Sequence, residues 1–365
     1  MPSQIGVRSD FYGVGKQKVS GTHISSRNSL GFALVGCGRA GERHAVQAAK
    51  VGRFIGACDI KEAAAQRLSR DAGAEAFGDY AAMLEALRNK VDVVAVCTPN
   101  WLHCEHSIKA FEAGYHVICE KPMAITVHEC GEMIKAAERA NRRLFVVKQN
   151  RYNPPVAHLK ELLDSGALGR IYSAHLNCYW NRNDKYFNSD WKGSLTKDGG
   201  TLYTQFSHFI DLLYWLVGDV REALAFTDNY SHKSSIEFED AGVAILKFYN
   251  GAIGSVNFTI NSFGRNMEGS ITLFCEKGTV KVGGQYLNEI EYQQVKDLEP
   301  AQLKTGRPPN EYGEYQGSMS NHEDVYNNVH SVLTSGGSIG TVGFEGLKTV
   351  EIIDKIYTAA QRAGR

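Results

Sequence analysis

Two textures of hydrophobic patterning divide the chain. Between Gly31 and Val147, short apolar runs (31–36, 54–58, 91–97, 116–119 and 144–147) alternate with longer, more polar stretches. Uninterrupted apolar runs of this length mark strands buried on both faces. The stretches between them run from the end of the first strand to Lys50, then over Glu62–Ala72, Tyr80–Asn89, Leu102–Ala113 and Val127–Ala140. They are rich in Ala, Leu, Glu and Arg and read as helices. Gly114 is placed to end the fourth. Strands alternating with helices predict a parallel sheet covered on both faces, over residues 31–150.

After Asn150 the pattern changes. Pro154-Pro155 suits a first helical turn, and that helix runs to about Ser165, where Gly166 and Gly169 close it. Longer strand candidates follow: Ile171–Trp180, Ala223–Tyr230, Ile236–Tyr249, Ala252–Asn261, Ile271–Cys275 and Thr279–Val282. Several alternate apolar with polar, as a half-covered sheet does. Asn250-Gly251 predicts a hairpin turn. Helices are expected near Leu202–Leu216, Glu323–Leu333 and Phe344–Ala360. Residues 151–365 therefore read as an α/β domain with a large, mostly antiparallel open sheet. An open apolar face needs cover, so a homodimer or homotetramer through this sheet is expected. Residues 1–30 are aperiodic and rich in Ser and Gly, and read as a flexible arm.

Composition narrows the function classes. The 365 residues carry 40 Lys plus Arg and 40 Asp plus Glu. A balanced charge argues against a nucleic-acid or anionic-membrane partner, both of which need a basic excess. No apolar run approaches a membrane span, and the N-terminus lacks the apolar centre of a signal peptide. The eight cysteines include no C-x-x-C, which favours a reducing compartment. A cytoplasmic enzyme is expected. His103 and His106 share a helix face but have no third ligand nearby, so no metal site is predicted.

The chemistry concentrates after the strands. Gly36-Cys37-Gly38-Arg39-Ala40-Gly41 is G-x-G-x-x-G between a strand and a helix. Gly36 permits the tight turn, Gly38 lets backbone approach a pyrophosphate, and Gly41 lets helix and strand pack closely. Arg39 and Ala40 open the helix, whose free N–H groups favour phosphate. Asp59 ends the second strand, where a carboxylate accepts hydrogen bonds from the adenosine ribose. A carboxylate there repels a 2′-phosphate, so NAD is expected over NADP. This is the pattern of a Rossmann dinucleotide-binding domain. Thr98-Pro99-Asn100 follows the third apolar run at the same sheet edge, and His103 lies one turn on. Glu120-Lys121-Pro122 follows the fourth, placing Lys121 where a nicotinamide would lie. A desolvated lysine there could polarise a substrate hydroxyl.

These landmarks, with Gly199-Gly200-Thr201-Leu202 and His208-x-x-Asp211, resemble the Gfo/Idh/MocA oxidoreductases from residue 31 to the end. The resemblance implies a C-terminal α/β domain used in oligomerisation, and hydride transfer between a nicotinamide cofactor and a sugar or polyol carbon. It implies His208 as general acid/base and Lys121 as its partner. An unperturbed histidine pKa near 6.5 suits that role. One departure stands out: many members carry Asp four residues before the histidine, and this chain has Thr204. Thr204 followed by Gln205 is similar to the subgroup that oxidises nucleotide sugars. Lys148–Pro155 and Trp191-Lys192-Gly193 are similar to UDP-N-acetylglucosamine and UDP-N-acetylglucosaminuronate 3-dehydrogenases. Arg151 and Lys192 are then expected to meet a carboxylate or pyrophosphate. Asn150, Thr204, Gln205 and Asp211 are expected to line the substrate pocket, with Tyr152 and Tyr179 as weaker candidates. A dehydrogenase of a free sugar or inositol is the alternative, followed by a non-redox NAD-binding regulator or an NAD-assisted glycosidase.

Overall fold

Strand alternates with helix through the first half of the computed structural model, which describes residues 29–299, 302–311 and 316–364. The expected flexible arm over residues 1–30 lies almost wholly outside them. The order is β1 (Gly31–Val35), α1 (Arg39–Val51), β2 (Arg53–Cys58), α2 (Glu62–Ala72), β3 (Glu75–Phe77) and α3 (Tyr80–Ala86). Then come β4 (Val93–Val96), α4 (His103–Glu112), β5 (His116–Cys119), α5 (Val127–Arg139) and β6 (Leu144–Val146). The six strands lie in the order β3-β2-β1-β4-β5-β6, with every pairing parallel. The order reverses between β1 and β4, and ligands bind such sheets in the crevice at that point, beyond the carboxyl ends of the strands.

The second half runs α6 (Pro154–Asp164), β7 (Ile171–Tyr179), α7 (Asp184–Phe187), α8 (Leu195–Asp198), α9 (Thr201–Thr204), α10 (Ser207–Val217) and β8 (Val220–Asp228). It continues with β9 (Ala241–Phe248), β10 (Ile253–Thr259), β11 (Glu268–Cys275), β12 (Gly278–Gly283) and β13 (Glu289–Val295). It ends with β14 (Pro309–Glu311), β15 (Gln316–Met319), α11 (His322–Ser335) and α12 (Gly343–Ala363). Strands β7–β13 form one sheet ordered β13-β12-β11-β7-β10-β9-β8. It is antiparallel except where β10 pairs parallel with β7. The turn at Asn250-Gly251 joins β9 to β10, with Gly251 at φ +90°.

One face of this sheet packs on α10 and α12, burying Phe209, Leu213, Ile352 and Ile356 among Leu176, Ala244 and Leu246. The other face leaves Leu224, Phe226, Val243 and Ile245 more than half exposed. Helix α11 returns to the first sheet, where Val325, Tyr326, Val329 and Leu333 join Phe32, Leu34, Ala45 and Ala48 in a second core.

Some expected elements differ. The strand expected over Ile236–Tyr249 begins at Ala241, because the preceding loop is held by the Asp240 carboxylate, which accepts from the N–H groups of Tyr230 and Ser231. The helix expected over Tyr80–Asn89 stops at Ala86, and Asn89 sits at φ +64°. Strands β3 and β13 carried no apolar run to reveal them. Both are edge strands, and β13 reads Glu-Ile-Glu-Tyr-Gln-Gln-Val, the charged composition that discourages edge pairing. The helix expected over Leu202–Leu216 is broken between α9 and α10 at Gln205–Phe206.

Candidate active site

That break is part of the site. In an unbroken helix the Thr204 carbonyl would accept from the N–H of His208, four residues on. Instead it accepts from Lys121 Nζ at 2.8 Å. Lys121 follows β5 and His208 lies in the first turn of α10, so this bond draws the two candidate residues together from separate halves of the chain. The backbone N–H of Lys121 donates to Glu120 Oε2 at 2.9 Å, fixing the lysine at its root. Burial pushes the Lys121 ammonium pKa below its usual 10.5, with Glu120 and Asp198 opposing.

His208 is buried, and its Nε2 lies 3.0 Å from the side-chain amide nitrogen of Gln149. Its Nδ1 has no protein partner. Burial first, then the charge of Lys121, holds the imidazole pKa well below 6.5, so His208 is neutral at neutral pH. A neutral imidazole can take a proton. Gln149 was not singled out from the sequence, although its place just past the buried strand ending at Val147 puts it on the same sheet edge as Lys121.

Two residues expected at the substrate face one another. Arg151 and Asp211 form an internal ion pair: Arg151 Nε and Nη2 each donate to the Asp211 carboxylate at 2.8 Å, and Nη1 donates to Glu345 at 2.9 Å. Lys148 Nζ lies 3.3 Å from Asp211 Oδ1 and donates to Thr349 at 2.9 Å. Burial would raise the Asp211 carboxyl, but Arg151 and Lys148 bring it down to about 2. All three side chains are almost fully buried. Their work is to hold the start of α10 against the end of β6, which sets His208 beside Gln149. Asn150, next to this cluster, is buried, bonds weakly to Ser318 Oγ at 3.4 Å, and leaves its Oδ1 without a protein partner.

The other expected pocket residues meet residues that sequence reasoning missed. Gln205 Oε1 accepts from Arg182 Nε at 2.8 Å, and its Nε2 donates to the Tyr186 hydroxyl at 2.8 Å. Arg182 is buried and stacks over Trp180 and Tyr186, while Lys192 Nζ lies 3.8 Å from the centre of the Tyr186 ring. Tyr179 lies on the far sheet, bonded to Asn177. Tyr152 is half-buried beside Gly340. Asn100 ties the two halves together, donating to the backbone and side-chain oxygens of Asp198 at 3.0 and 3.3 Å. Burial pushes the Asp198 carboxyl up to about 7, despite the N–H bond from Gly193. His103 turns out to be a brace: its ring nitrogens lie 2.7 Å from the Pro122 carbonyl and 2.8 Å from that of Thr98. With a carbonyl oxygen against each nitrogen, it lies between the two loops it braces.

Glu120 anchors a second brace. Tyr326 donates to His44 Nδ1 (2.9 Å), while His44 Nε2 (3.0 Å) and His322 Nε2 (3.4 Å) donate to Glu120 Oε1. Among the described residues, His44, Glu120 and His322 are the group whose ligand atoms lie close enough to share a metal. Those atoms already bond one another, tying α1, β5 and α11 together. Burial would raise the Glu120 carboxyl, but the two histidine bonds hold it well below the usual range.

The dinucleotide crevice fits the group its motif implies. Gly36 adopts φ +94°, and a Cβ there would lie 2.6 Å from the Cys97 carbonyl. Gly41 presses its Cα side against the Gly36 carbonyl oxygen. Gly38 faces open space, and α1 has no side-chain cap, so its first N–H groups are directed at whatever occupies that space. The Asp59 carboxylate is oriented by the N–H groups of Cys37 and Lys61 at 2.8 Å each. A carboxylate has about four acceptor sites, so lone pairs remain for ribose hydroxyls.

Comparison with known proteins agrees with this geometry. Residues 30–148 match the family described as "Oxidoreductase family, NAD-binding Rossmann fold", and residues 156–281 match the "GFO/IDH/MocA C-terminal domain". The WlbA dehydrogenase from Bordetella pertussis, solved with NADH and UDP-GlcNAcA, superposes with TM-score 0.82 at 35% identity, over 91% of this chain and 97% of that one. WlbA from Chromobacterium violaceum, solved with the same two molecules, gives TM-score 0.83 at 35% identity, over 93% and 96%. Among curated relatives, levoglucosan dehydrogenase from Pseudarthrobacter phenanthrenivorans is 29% identical over 225 residues, 55% of this chain and 57% of that protein. The chain spans about half the length of the curated relatives it matches. No helix among the described residues is long and apolar enough to cross a membrane. With a parallel sheet of Rossmann order, a crevice shaped for NAD, and Lys121 bonded across the two halves to the Thr204 carbonyl, the chain belongs to the Gfo/Idh/MocA family of NAD-binding oxidoreductases.

Proposed function

We propose that the protein oxidises the C3 hydroxyl of a UDP-N-acetylglucosamine-type nucleotide sugar, the uronate included, with NAD as oxidant. The observation that carries this reading is the likeness, at 35% identity over 91% and 93% of this chain, to two dehydrogenases solved with NADH and UDP-GlcNAcA. NAD, when bound by Gly36–Gly41 and Asp59, supplies the hydride acceptor. The chain's own residues supply position and proton transfer. His208, neutral, takes the hydroxyl proton on Nε2 once the substrate hydroxyl replaces the Gln149 amide there. Lys121, held by Thr204, polarises the same oxygen and stabilises the charge that builds on it. Arg182 and Lys192, converging on Gln205 and Tyr186, give this end of the pocket the cationic character an anionic sugar needs.

Steady-state NADH formation tests the substrate class. UDP-N-acetylglucosaminuronate and UDP-N-acetylglucosamine are expected to be turned over, with glucose and myo-inositol at least 100-fold poorer in kcat/KM. Preference for glucose or inositol would move the protein to the free-sugar branch. NAD binding with no NADH from any alcohol would favour a non-redox role.

We also propose that the open sheet face pairs with a second copy of the chain, as its exposed Leu224, Phe226, Val243 and Ile245 suggest. Phe226→Glu combined with Ile245→Glu is expected to reduce the mass measured by light scattering to that of a smaller species. An unchanged mass would place the interface elsewhere.

A further inference from the structure

The Gly199-Gly200-Thr201-Leu202 segment leads into α9, the single turn of helix whose last carbonyl holds Lys121. A helix begins with N–H groups that have no partner inside it, and α9 has no side-chain cap from its own first residue, Gly200. Two side chains from distant parts of the chain supply the acceptors. The Thr201 N–H donates to Glu239 Oε1 at 3.0 Å, and the Leu202 N–H donates to the Tyr357 hydroxyl at 2.9 Å. That hydroxyl in turn donates to Glu239 Oε1 at 2.6 Å, so the two acceptors are locked to each other. The Thr201 hydroxyl also donates to the Glu239 carbonyl. Glu239 comes from the loop before β9, and Tyr357 from α12, the last helix.

The second glycine makes room for this clamp. Gly200 adopts φ +127°, and a Cβ there would lie 2.5 Å from the Tyr357 hydroxyl oxygen. At the other end of the turn, the Thr204 N–H donates to the Gly200 carbonyl at 3.1 Å and the Gln205 N–H to the Thr201 carbonyl at 2.9 Å. The Thr204 carbonyl is left to accept from Lys121 Nζ at 2.8 Å. One helical turn does not hold its own shape, because nucleation costs more than a first bond returns. The place of the Thr204 carbonyl is therefore set by what grips Thr201 and Leu202.

We propose that Tyr357 and Glu239 are positioning residues for Lys121. Through α9 they fix the Thr204 carbonyl, which aims the lysine and favours its charged form. This rests on the role given to Lys121 above and adds the residues that hold it. Position 239 needs an acceptor and not a charge: burial pushes the Glu239 carboxyl up to about 7, and an amide oxygen there accepts the same bonds. The charges facing Lys121 are Glu120 from the end of β5, Asp198 from α8, Arg182 from the segment after β7 and Lys148 from the segment after β6. His208 of α10 and His103 of α4 also face it, and burial keeps both neutral at neutral pH. All of these groups stay as they are in the variants below.

The first readout is independent of turnover. The full chain is acetylated with acetic anhydride at graded pH, and modification of Lys121 is followed by peptide mass spectrometry. Only the uncharged amine reacts, so the midpoint reports the lysine's titration. Tyr357→Phe and Glu239→Leu are each expected to lower that midpoint by about half a pH unit or more, because the ammonium loses a well-placed acceptor. Glu239→Gln is expected to keep the wild-type midpoint. The second readout is turnover of the UDP-sugar. Tyr357→Phe and Glu239→Leu are expected to lose about 10-fold in kcat with KM within about twofold, and their alkaline limb moves with the midpoint, whereas Glu239→Gln recovers most of the rate. An unmoved midpoint in Tyr357→Phe, whatever its kcat, or a Glu239→Gln variant that behaves like Glu239→Leu, would overturn the positioning role and leave Lys121 in place. Near-normal turnover in Lys121→Ala would overturn the reading on which the role rests.

Discussion

Replacing His208 with asparagine is expected to lower kcat by about 10²–10⁴-fold, the usual contribution of a positioned general base, while NADH binding stays near wild type. Asparagine keeps a polar side chain facing Gln149 but cannot take a proton, so a loss confined to turnover reports the chemistry and not the packing. Lys121→Ala is expected to fall comparably, because the oxygen loses the ammonium that the bond to Thr204 brings to the α9–α10 break. The pH profile separates the roles. His208 must be neutral to act, and burial with the Lys121 charge depresses its pKa. Wild-type kcat/KM is therefore expected to stay high as pH falls through 6.5 and to decline only below it. Lys121 must be charged, and burial depresses its pKa as well, so the alkaline decline is expected below the ordinary lysine value of about 10.4. His208→Asn is expected to lose the acid limb. Near-normal turnover in either variant, or an acid limb retained in His208→Asn, would reassign the base.

Asp211→Asn is expected to be the most damaging change to stability, at about 3–5 kcal/mol, the range for removing one partner from a buried charge pair. Lys148 and Arg151 would keep their charges in the core, with only Glu345 left as a carboxylate for Arg151. The pH dependence has a defined sign. The Asp211 pKa is depressed to about 2 in the folded protein, against about 3.9 for an unfolded aspartate. Its stabilisation is therefore complete above the unfolded value and is lost as pH falls toward 2. Urea unfolding at pH 7 measures the first effect, and a comparison between pH 5 and pH 3 measures the second. Adding Arg151→Met to Asp211→Asn is expected to recover part of the loss by removing one of the stranded cations. A loss below 1 kcal/mol would mean that Asp211 is not the keystone of this cluster.

The parallel half was readable because its strands are buried on both faces and its glycine motif fixes their register relative to a ligand. Lys121 was readable for the same reason: a residue just past a buried parallel strand has one place to be. Gln149 obeyed that rule too, but amides carry no distinctive sequence signal. The Arg151–Asp211 pair was not legible, because a charged residue near a site looks the same in sequence whether it faces substrate or another charge. Only the fold showed α10 laid against the end of β6 with the pair between them. The edge strand β13 was hidden by its polar composition, and the α9–α10 break by a bond from Lys121, which lies 83 positions earlier in the chain.

Lys121 and His208 are proposed to flank the C3 carbon of a UDP-N-acetylglucosamine-type sugar. This placement is tested most directly with UDP-N-acetylglucosaminuronate carrying deuterium at C3, mixed with NAD-loaded protein in a single turnover. The deuterium is expected in the reduced cofactor, with the step slowed about twofold or more relative to the unlabelled sugar. Reduced cofactor free of deuterium, or no reduction at all, would contradict it.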